Sequence, residues 1–427
     1  MPGRNEYDSI VIGGGPAGTT AATVLAQKGR RVLLLEKAKM PRYHIGESLM
    51  PYCWHTLERL GVLEEMKRFD FVQKLSVQFV NQDGKQSRPF YFFQHYDHPS
   101  AYTWQVERAE FDEMLFKNAA KHGVDCRDET QVTRFLMSEA GAVIGVVARN
   151  AAGQETEFHA PITMDCTGRD ALWASKNHWR VRDPELKKIA IWTYYKDAKR
   201  DEGLDAGSTT VAYIPYKGWF WYIPLRNGIT SVGVVGERDY LFRGTRDLAE
   251  IFQREIETNV WIKEHLSVGK QFGDYWVTGE YSYRAQHCAA DGIVLVGDAF
   301  VFLDPVFSSG VFLAFKSGEA AAEAVDAALK AGRYTADAFS GYGEMLCKHV
   351  ETMRKIVYAF YDEEFSFGRL IKAHPDLRGR LTDCLIGNIS EDFSQLFQAV
   401  EEIAEVPEPL PYGMTGAKGG SRELAAA

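Results

Sequence analysis

Ser9-Ile10-Val11-Ile12-Gly13-Gly14-Gly15-Pro16-Ala17-Gly18 runs from a short apolar stretch straight into a glycine-rich turn. Ala17 to Lys28 follows, rich in helix formers and ended by Gly29. Arg31-Val-Leu-Leu-Leu-Glu36 is a second apolar stretch. Strand, helix and strand within about 30 residues form a β–α–β unit, which requires a parallel sheet. The spacing Gly13-x-Gly15-x-x-Gly18 between strand and helix is a dinucleotide cradle. Gly13 permits the tight turn, Gly15 lets the backbone approach a pyrophosphate, and Gly18 lets the helix close on the strand. The helix start turns its free N–H groups toward the phosphates. Glu36, closing the second strand, is placed to accept hydrogen bonds from a ribose diol.

Around this unit lies a chain of 427 residues, 45% apolar and 25% charged, enough to build a large core. Its 49 basic against 58 acidic residues give a net charge of −9, with no basic run, which argues against nucleic acid as a partner. No apolar run reaches the ~18 residues of a membrane helix. Cys53, Cys126, Cys166, Cys288, Cys347 and Cys384 lie far apart, and no CxxC or HExxH occurs. Neither a disulfide scaffold nor a structural metal is expected. The N-terminus lacks a basic segment followed by an apolar one, so a cytoplasmic protein is expected.

The pattern predicts an α/β fold: a Rossmann-like dinucleotide-binding domain, a second, mostly antiparallel β-sheet domain, and a helical C-terminal region. The expected boundaries are 1–75 with 104–170 and 285–330 for the first. The second takes 76–103 with 171–284, where aromatic and β-branched residues dominate and turns fall at Asn227-Gly228 and Gly273-Asp274. The third is 331–427, with a mobile tail from Pro407. Residues 71–80 alternate as a strand, with Val72, Lys74, Ser76 and Gln78 on one face.

Further motifs specify the ligand. Gly292-Ile-Val-Leu-Val-Gly297-Asp298 is a strand ending in Gly-Asp, Asp165-Cys-Thr-Gly168 is a D-x-x-G, and Trp104-Gln105-Val-Glu-Arg108 precedes a helix. With the glycine cradle these resemble the para-hydroxybenzoate hydroxylase-like FAD superfamily. The resemblance implies FAD, its ribityl chain held by Asp298 and its phosphate or ribityl region faced by Arg108. Ala17, Lys37 and Ser48 join Gly13, Gly15, Gly18 and Glu36 as implied cofactor residues. The plain alternative for Arg108 is a surface charge at a helix start.

Two sharper motifs follow. Trp219-Phe-Trp221-Tyr-Ile223-Pro224 fits W-x-W-x-I-P, and Phe302-x-x-Pro305-x-x-Ser308-x-Gly310 fits F-x-x-P-x-x-S-x-G. With Pro41-Arg-Tyr-His-Ile-Gly46-Glu47-Ser48-Leu-Met-Pro51, the set resembles the flavin-dependent halogenases, in particular the branch acting on phenols and pyrroles. The resemblance covers roughly residues 8–330. It implies an FADH2- and O2-dependent enzyme that makes hypohalous acid from chloride or bromide at the flavin. Lys74 then delivers the halogen to a small electron-rich aromatic, free or tethered to a carrier protein. Trp219, Trp221, Ile223 and Pro224 would separate flavin from substrate. A helix starting near Val311 would turn the N–H groups of Ser309 and Gly310 toward a halide and the flavin edge, with the Ser308 hydroxyl as a further, catalytic donor. Each has a plain alternative: Ser308 and Ser309 as helix caps, the indoles as an aromatic core pair, Lys74 as a solvated strand lysine.

Some features depart from the family. The tryptophan-specific branch carries a glutamate before the motif serine, where this chain has Phe307. No general base can be assigned; His95, Asp97 and His98 lie in a segment that would cover the substrate, with two of them as solvated loop residues the plain alternative. The chain is shorter at its C-terminus than many phenol halogenases, so a more open cavity is expected. One nucleotide fingerprint implies a separate flavin reductase, although para-hydroxybenzoate-type hydroxylases bind NADPH without a second such motif. The competing readings are a monooxygenase or geranylgeranyl-reductase-like oxidoreductase on the same fold, and a non-catalytic flavin carrier.

Overall fold

Strands that are apolar on both faces need cover on both faces, and Ser9–Ile12, Val32–Leu35 and Ile162–Asp165 are buried at every position. The computed structural model describes residues 5–417 except 95, 217, 280 and 281. These strands form the centre of a six-stranded sheet in the order Ala289–Ala290, Ile293–Leu295, Ile162–Asp165, Ser9–Ile12, Val32–Leu35, Asp125–Arg127. All pairs are parallel except the one made by the edge strand Ala289–Ala290. The helix Pro16–Gln27 packs against the long helix Ser309–Ala331, so the glycine cradle and the Gly-Asp turn meet. From Ser9–Ile12 the sheet is extended in opposite directions. Its switch point therefore lies at the carboxyl ends of Ser9–Ile12 and Ile162–Asp165, the usual ligand crevice of such sheets.

The second sheet has seven strands: Lys270–Gly279, Lys188–Lys196, Ile229–Glu237, Trp219–Pro224, Thr209–Tyr213, Ser76–Val80 and Phe90–Tyr91. It is antiparallel except for Thr209–Tyr213 beside Ser76–Val80. Alternation divides it between two cores. Phe220, Tyr222, Val232 and Val234 pack under the helices Leu248–Ile256 and Val260–Leu266. Trp192, Trp219, Trp221 and Val211 face the main core. The α/β architecture read from the sequence is thus the one observed.

Two local expectations change. Residues 71–80 are not one strand: Val72–Lys74 pairs with Thr103–Gln105, and Ser76–Val80 enters the large sheet. The break at Leu75 leaves Lys74 at the seam between them, while Lys74, Ser76 and Gln78 remain buried and Val72 is half-buried. The tail from Pro407, expected to be mobile, is held as far as Ala417. Arg354 Nη1 donates to Glu408 O (2.9 Å), Arg284 Nη2 to Leu410 O (2.8 Å), and Ala417 N to Ala289 O (2.8 Å). Buried arginines satisfy backbone groups that a Pro- and Gly-rich segment cannot pair within itself. Residues 418–427 lie outside the described residues. Helices Ser340–Tyr361, Phe367–Ala373, Arg378–Ile386 and Ser394–Glu401 make up the C-terminal region. Among the described residues no helix is long and apolar enough to cross a membrane.

Candidate active site

The glycines do what their spacing requires. Gly13 has φ +110°, and a Cβ there would lie 2.3 Å from the Cys166 carbonyl oxygen on the neighbouring strand. A Cβ on Gly18 would lie 1.9 Å from Gly13 O, whereas one on Gly15 would meet only the Arg42 guanidinium at 3.3 Å. Gly15 therefore borders open space, as a pyrophosphate cradle must. Ala17 packs beneath the Gly-Asp turn, where a Cβ on Gly297 would come within 2.9 Å of it. Glu36 accepts from Gly14 N at 2.8 Å and Ala38 N at 2.9 Å, which fixes its carboxylate at the strand end.

Not every implied cofactor residue turns toward this crevice. Lys37 pairs with Asp170 at the surface. Arg108 is buried and forks onto Asp112 (2.8 and 3.0 Å), with Nη1 donating to Ile45 O at 2.9 Å. It is not a surface charge. Burial alone would raise the Asp112 pKa, but Arg108 and Arg42 hold it below the usual range. Arg108 thereby anchors the segment that carries Glu47 and Ser48. The D-x-x-G aspartate is also structural: Asp165 accepts from Thr167 N, Thr167 Oγ1 and Trp173 N. Asp298 differs. Its carboxyl makes no hydrogen bond among the described residues, and burial, offset by Arg169, Arg108 and Arg180, pushes its pKa up to about 6. Two buried acceptors, Glu47 Oε2 and Gln105 Oε1, also lack donors among the described residues. Open Gly15, unpaired Asp298 and these orphan acceptors fit a large polar cofactor such as FAD.

Lys74 is 2% exposed and pairs with no carboxylate among the described residues. Its Nζ lies 2.9 Å from Ser48 Oγ and 3.1 Å from Leu49 O, with the Phe92 ring centroid at 5.8 Å. Burial pushes its pKa down to about 7. It lines a largely apolar cavity with Phe92, Val211, Phe307 and Ser308, closed by Leu385 from the C-terminal region. Behind Phe307 stand Phe360 and Phe367 (5.8 and 6.0 Å between centroids). Where a more open cavity was expected, helices of the C-terminal region supply aromatic cover. Ser48, expected at the cofactor, instead accepts from Lys74 Nζ and shares a hydrogen bond with Thr209 Oγ1 (2.8 Å). Of the segment expected to cover the substrate, His95 lies outside the described residues and Asp97 and His98 are exposed. Phe92 just before it is the residue that lines the cavity.

Ser308 stands between cavity and helix start. Its φ of +59° is rare for a residue with a side chain, and neither it nor Ser309 caps the helix by a side-chain hydrogen bond. The helix Ser309–Ala331 begins two residues before the expected Val311, leaving its first N–H groups without intrahelical partners. A Cβ on Gly310 would meet nothing within 4 Å, so this helix start faces unfilled space.

Trp219 and Trp221 share one face, as their spacing requires. Val211, paired with Trp221 in the sheet, lines the lysine cavity. Trp221 lies flat over Gly233, where a Cβ would come within 2.2 Å of the indole, and donates to Ser231 Oγ at 3.1 Å. Trp219 Nε1 donates to Tyr361 Oη at 2.8 Å, and Tyr361 donates to Asp304 Oδ2 at 2.9 Å. Ile223 is buried on the same face and Pro224 ends the strand. Nearby, Glu47 accepts from Tyr194 Oη at 2.7 Å, and burial, eased by this bond and Arg108, raises its pKa to about 7. Glu47 lies inside a quoted motif; Thr209, Gly233 and Tyr361 do not, and nothing local marks them.

Comparison with known proteins agrees with this geometry. The sequence model of the tryptophan halogenase family matches residues 8–101 and 82–367. A tryptophan 2-halogenase of Chondromyces crocatus is 34% identical over 358 residues, 83% of this chain and 67% of its own. A 1H-pyrrole-2-carbonyl-(peptidyl-carrier protein) brominase of Pseudoalteromonas luteoviolacea (strain 2ta16) is 29% identical over 385 residues, 90% of this chain and 92% of its own. Among solved structures, the flavin-dependent brominase Bmp2 superposes with a TM-score of 0.85 at 28% identity, covering 93% of this chain and 98% of its own.

Proposed function

The chain belongs to the tryptophan halogenase family of flavin-dependent halogenases, and from that premise we propose that it halogenates a small electron-rich aromatic of the pyrrole or phenol type, with Lys74 delivering the halogen. Reduced FAD with O2 supplies the oxidising equivalent that turns chloride or bromide into hypohalous acid. The reading rests on one observation above all: Lys74 and Ser308 line the same cavity. Oxidant made near the start of helix Ser309–Ala331 need cross only that cavity to meet the amine.

In this scheme the N–H groups of Ser309 and Gly310, with the Ser308 hydroxyl, hold the halide. Lys74 takes up the hypohalous acid by hydrogen bond or as a haloamine. Its depressed pKa, about 7, keeps an appreciable share of the amine neutral at neutral pH and therefore nucleophilic. Val211, Phe307 and Leu385 give the cavity an apolar lining suited to the face of a small ring. Trp219, Trp221, Ile223 and Pro224 stand as the wall between cofactor and ring. Likeness to a brominase that acts on a pyrrolyl carrier protein favours a pyrrole-type substrate, tethered or free. In this scheme a separate reductase supplies FADH2.

The test is mass spectrometry of a pyrrole and phenol panel incubated with enzyme, a flavin reductase, NADH, O2 and bromide. The wild type yields products with the bromine isotope doublet. Lys74→Ala yields none, yet binds FAD and supports its reoxidation as before. A product gaining one oxygen instead would overturn the activity, and bromination by Lys74→Ala at the normal rate would overturn the lysine.

A further inference from the structure

A hydrogen-bond chain behind Lys74 ends in a donor whose direction can be counted. Gln105 Nε2 lies 2.9 Å from Gly207 O and 2.8 Å from Thr209 Oγ1. A carbonyl oxygen only accepts, so the Gln105 amide must present N–H at both contacts. At the other end Lys74 Nζ faces Leu49 O and Ser48 Oγ, and a charged amine donates to both. Between these two donors stand two hydroxyls, Ser48 and Thr209, 2.8 Å apart. Thr209 accepts from Gln105, and Ser48 accepts from Lys74. One hydroxyl proton lies on the line joining the two oxygens. The other has no acceptor among the described residues. Thr209 is the member of the pair that lines the cavity.

We infer that Thr209 is a substrate-orienting residue, donating its hydroxyl proton to an acceptor oxygen on the aromatic substrate, such as a ring-attached carbonyl. The inference deepens the reading above and rests on it for the identity of the cavity. The wall is otherwise largely apolar, with Met50, Val77, Phe79, Phe92 and Val211 around Lys74. An apolar wall holds a ring without fixing its rotation, whereas one directed donor fixes which ring carbon faces the amine. Ser48 supports this indirectly by holding Thr209 and Lys74 in one frame.

Binding rather than turnover tests the idea, so its outcome is independent of whether the enzyme halogenates. The FAD-loaded protein is titrated with 2-acetylpyrrole and with 2-ethylpyrrole by ligand-observed NMR at pH 6, where Lys74 is mostly charged. The two probes match in size and differ in the acceptor oxygen. Wild type should bind 2-acetylpyrrole more tightly. Thr209→Val, which keeps the shape, should weaken 2-acetylpyrrole about tenfold, the value of one hydrogen bond, and leave 2-ethylpyrrole within about twofold. Thr209→Ser should restore the difference. Equal weakening of both probes, no weakening of either, or no preference in the wild type would each overturn the assignment.

Discussion

Trp219 and Tyr361 share a 2.8 Å hydrogen bond, indole N–H to phenolic oxygen, that joins a strand of the seven-stranded sheet to the last turn of helix Ser340–Tyr361. Tyr361 Oη in turn donates to Asp304, which also accepts from Val306 N and so holds the turn leading to Ser308. The two motifs are therefore braced against each other by a residue in neither. Tyr361→Phe removes an acceptor from Trp219 and a donor from buried Asp304, at a cost of about 1–3 kcal/mol. Calorimetry should show the melting temperature falling by about 1–3 °C. A melt superimposable on wild type would mean the brace carries no weight.

Burial of the Lys74 amine costs the fold stability wherever that amine is charged in water. Unfolded, its amine keeps a proton up to about 10.5; folded, it releases it near 7. Between those values the unfolded chain binds more protons, so wild-type stability rises with pH from 7 to 10.5. Below 7 the penalty is complete, and above 10.5 it has vanished. Lys74→Met should melt higher than wild type at pH 7, and the gap should close as pH approaches 10.5. Denaturant unfolding across that range reads the difference. A variant less stable than wild type at pH 7 would show that the hydrogen bonds to Ser48 and Leu49 outweigh desolvation.

Gly15 and Gly18 should fail in opposite ways. Gly18→Ala drives a methyl into Gly13 O and should destabilise the protein even without cofactor. Gly15→Ala meets little in the protein, so its melting temperature should match wild type to about a degree. Its FAD affinity should nevertheless drop at least tenfold in fluorescence titration, because the methyl occupies the pyrophosphate approach. Unimpaired FAD binding by Gly15→Ala would place the phosphates elsewhere.

The fold was legible because the glycine cradle and its flanking strands are local: three glycines and two apolar runs specify a β–α–β unit by steric need alone. The pairing of Trp219 with Trp221 was legible from the two-residue period. Lys74 was harder. Alternation placed it on the right face, but the strand breaks at Leu75, and only tertiary packing turns a lysine that reads as solvated into a buried one. Arg108, expected to face the cofactor, and the motif aspartate Asp165 instead hold the backbone that surrounds the site. Thr209 and Tyr361 were illegible, since each gains its meaning from partners more than fifty residues away, and no local pattern encodes such a meeting.

The parallel sheet ends at Ala289–Ala290, an edge whose outward backbone groups would otherwise invite a strand from another molecule. The carbonyl of Ala289 instead accepts Ala417 N, and Cys288 N reaches Thr415 O. The final described stretch thus works as a selvedge, sealing the border of the sheet against side-by-side association. A chain cut before Thr415 should bare that edge, and size-exclusion chromatography should show it associating with itself more than the full chain does.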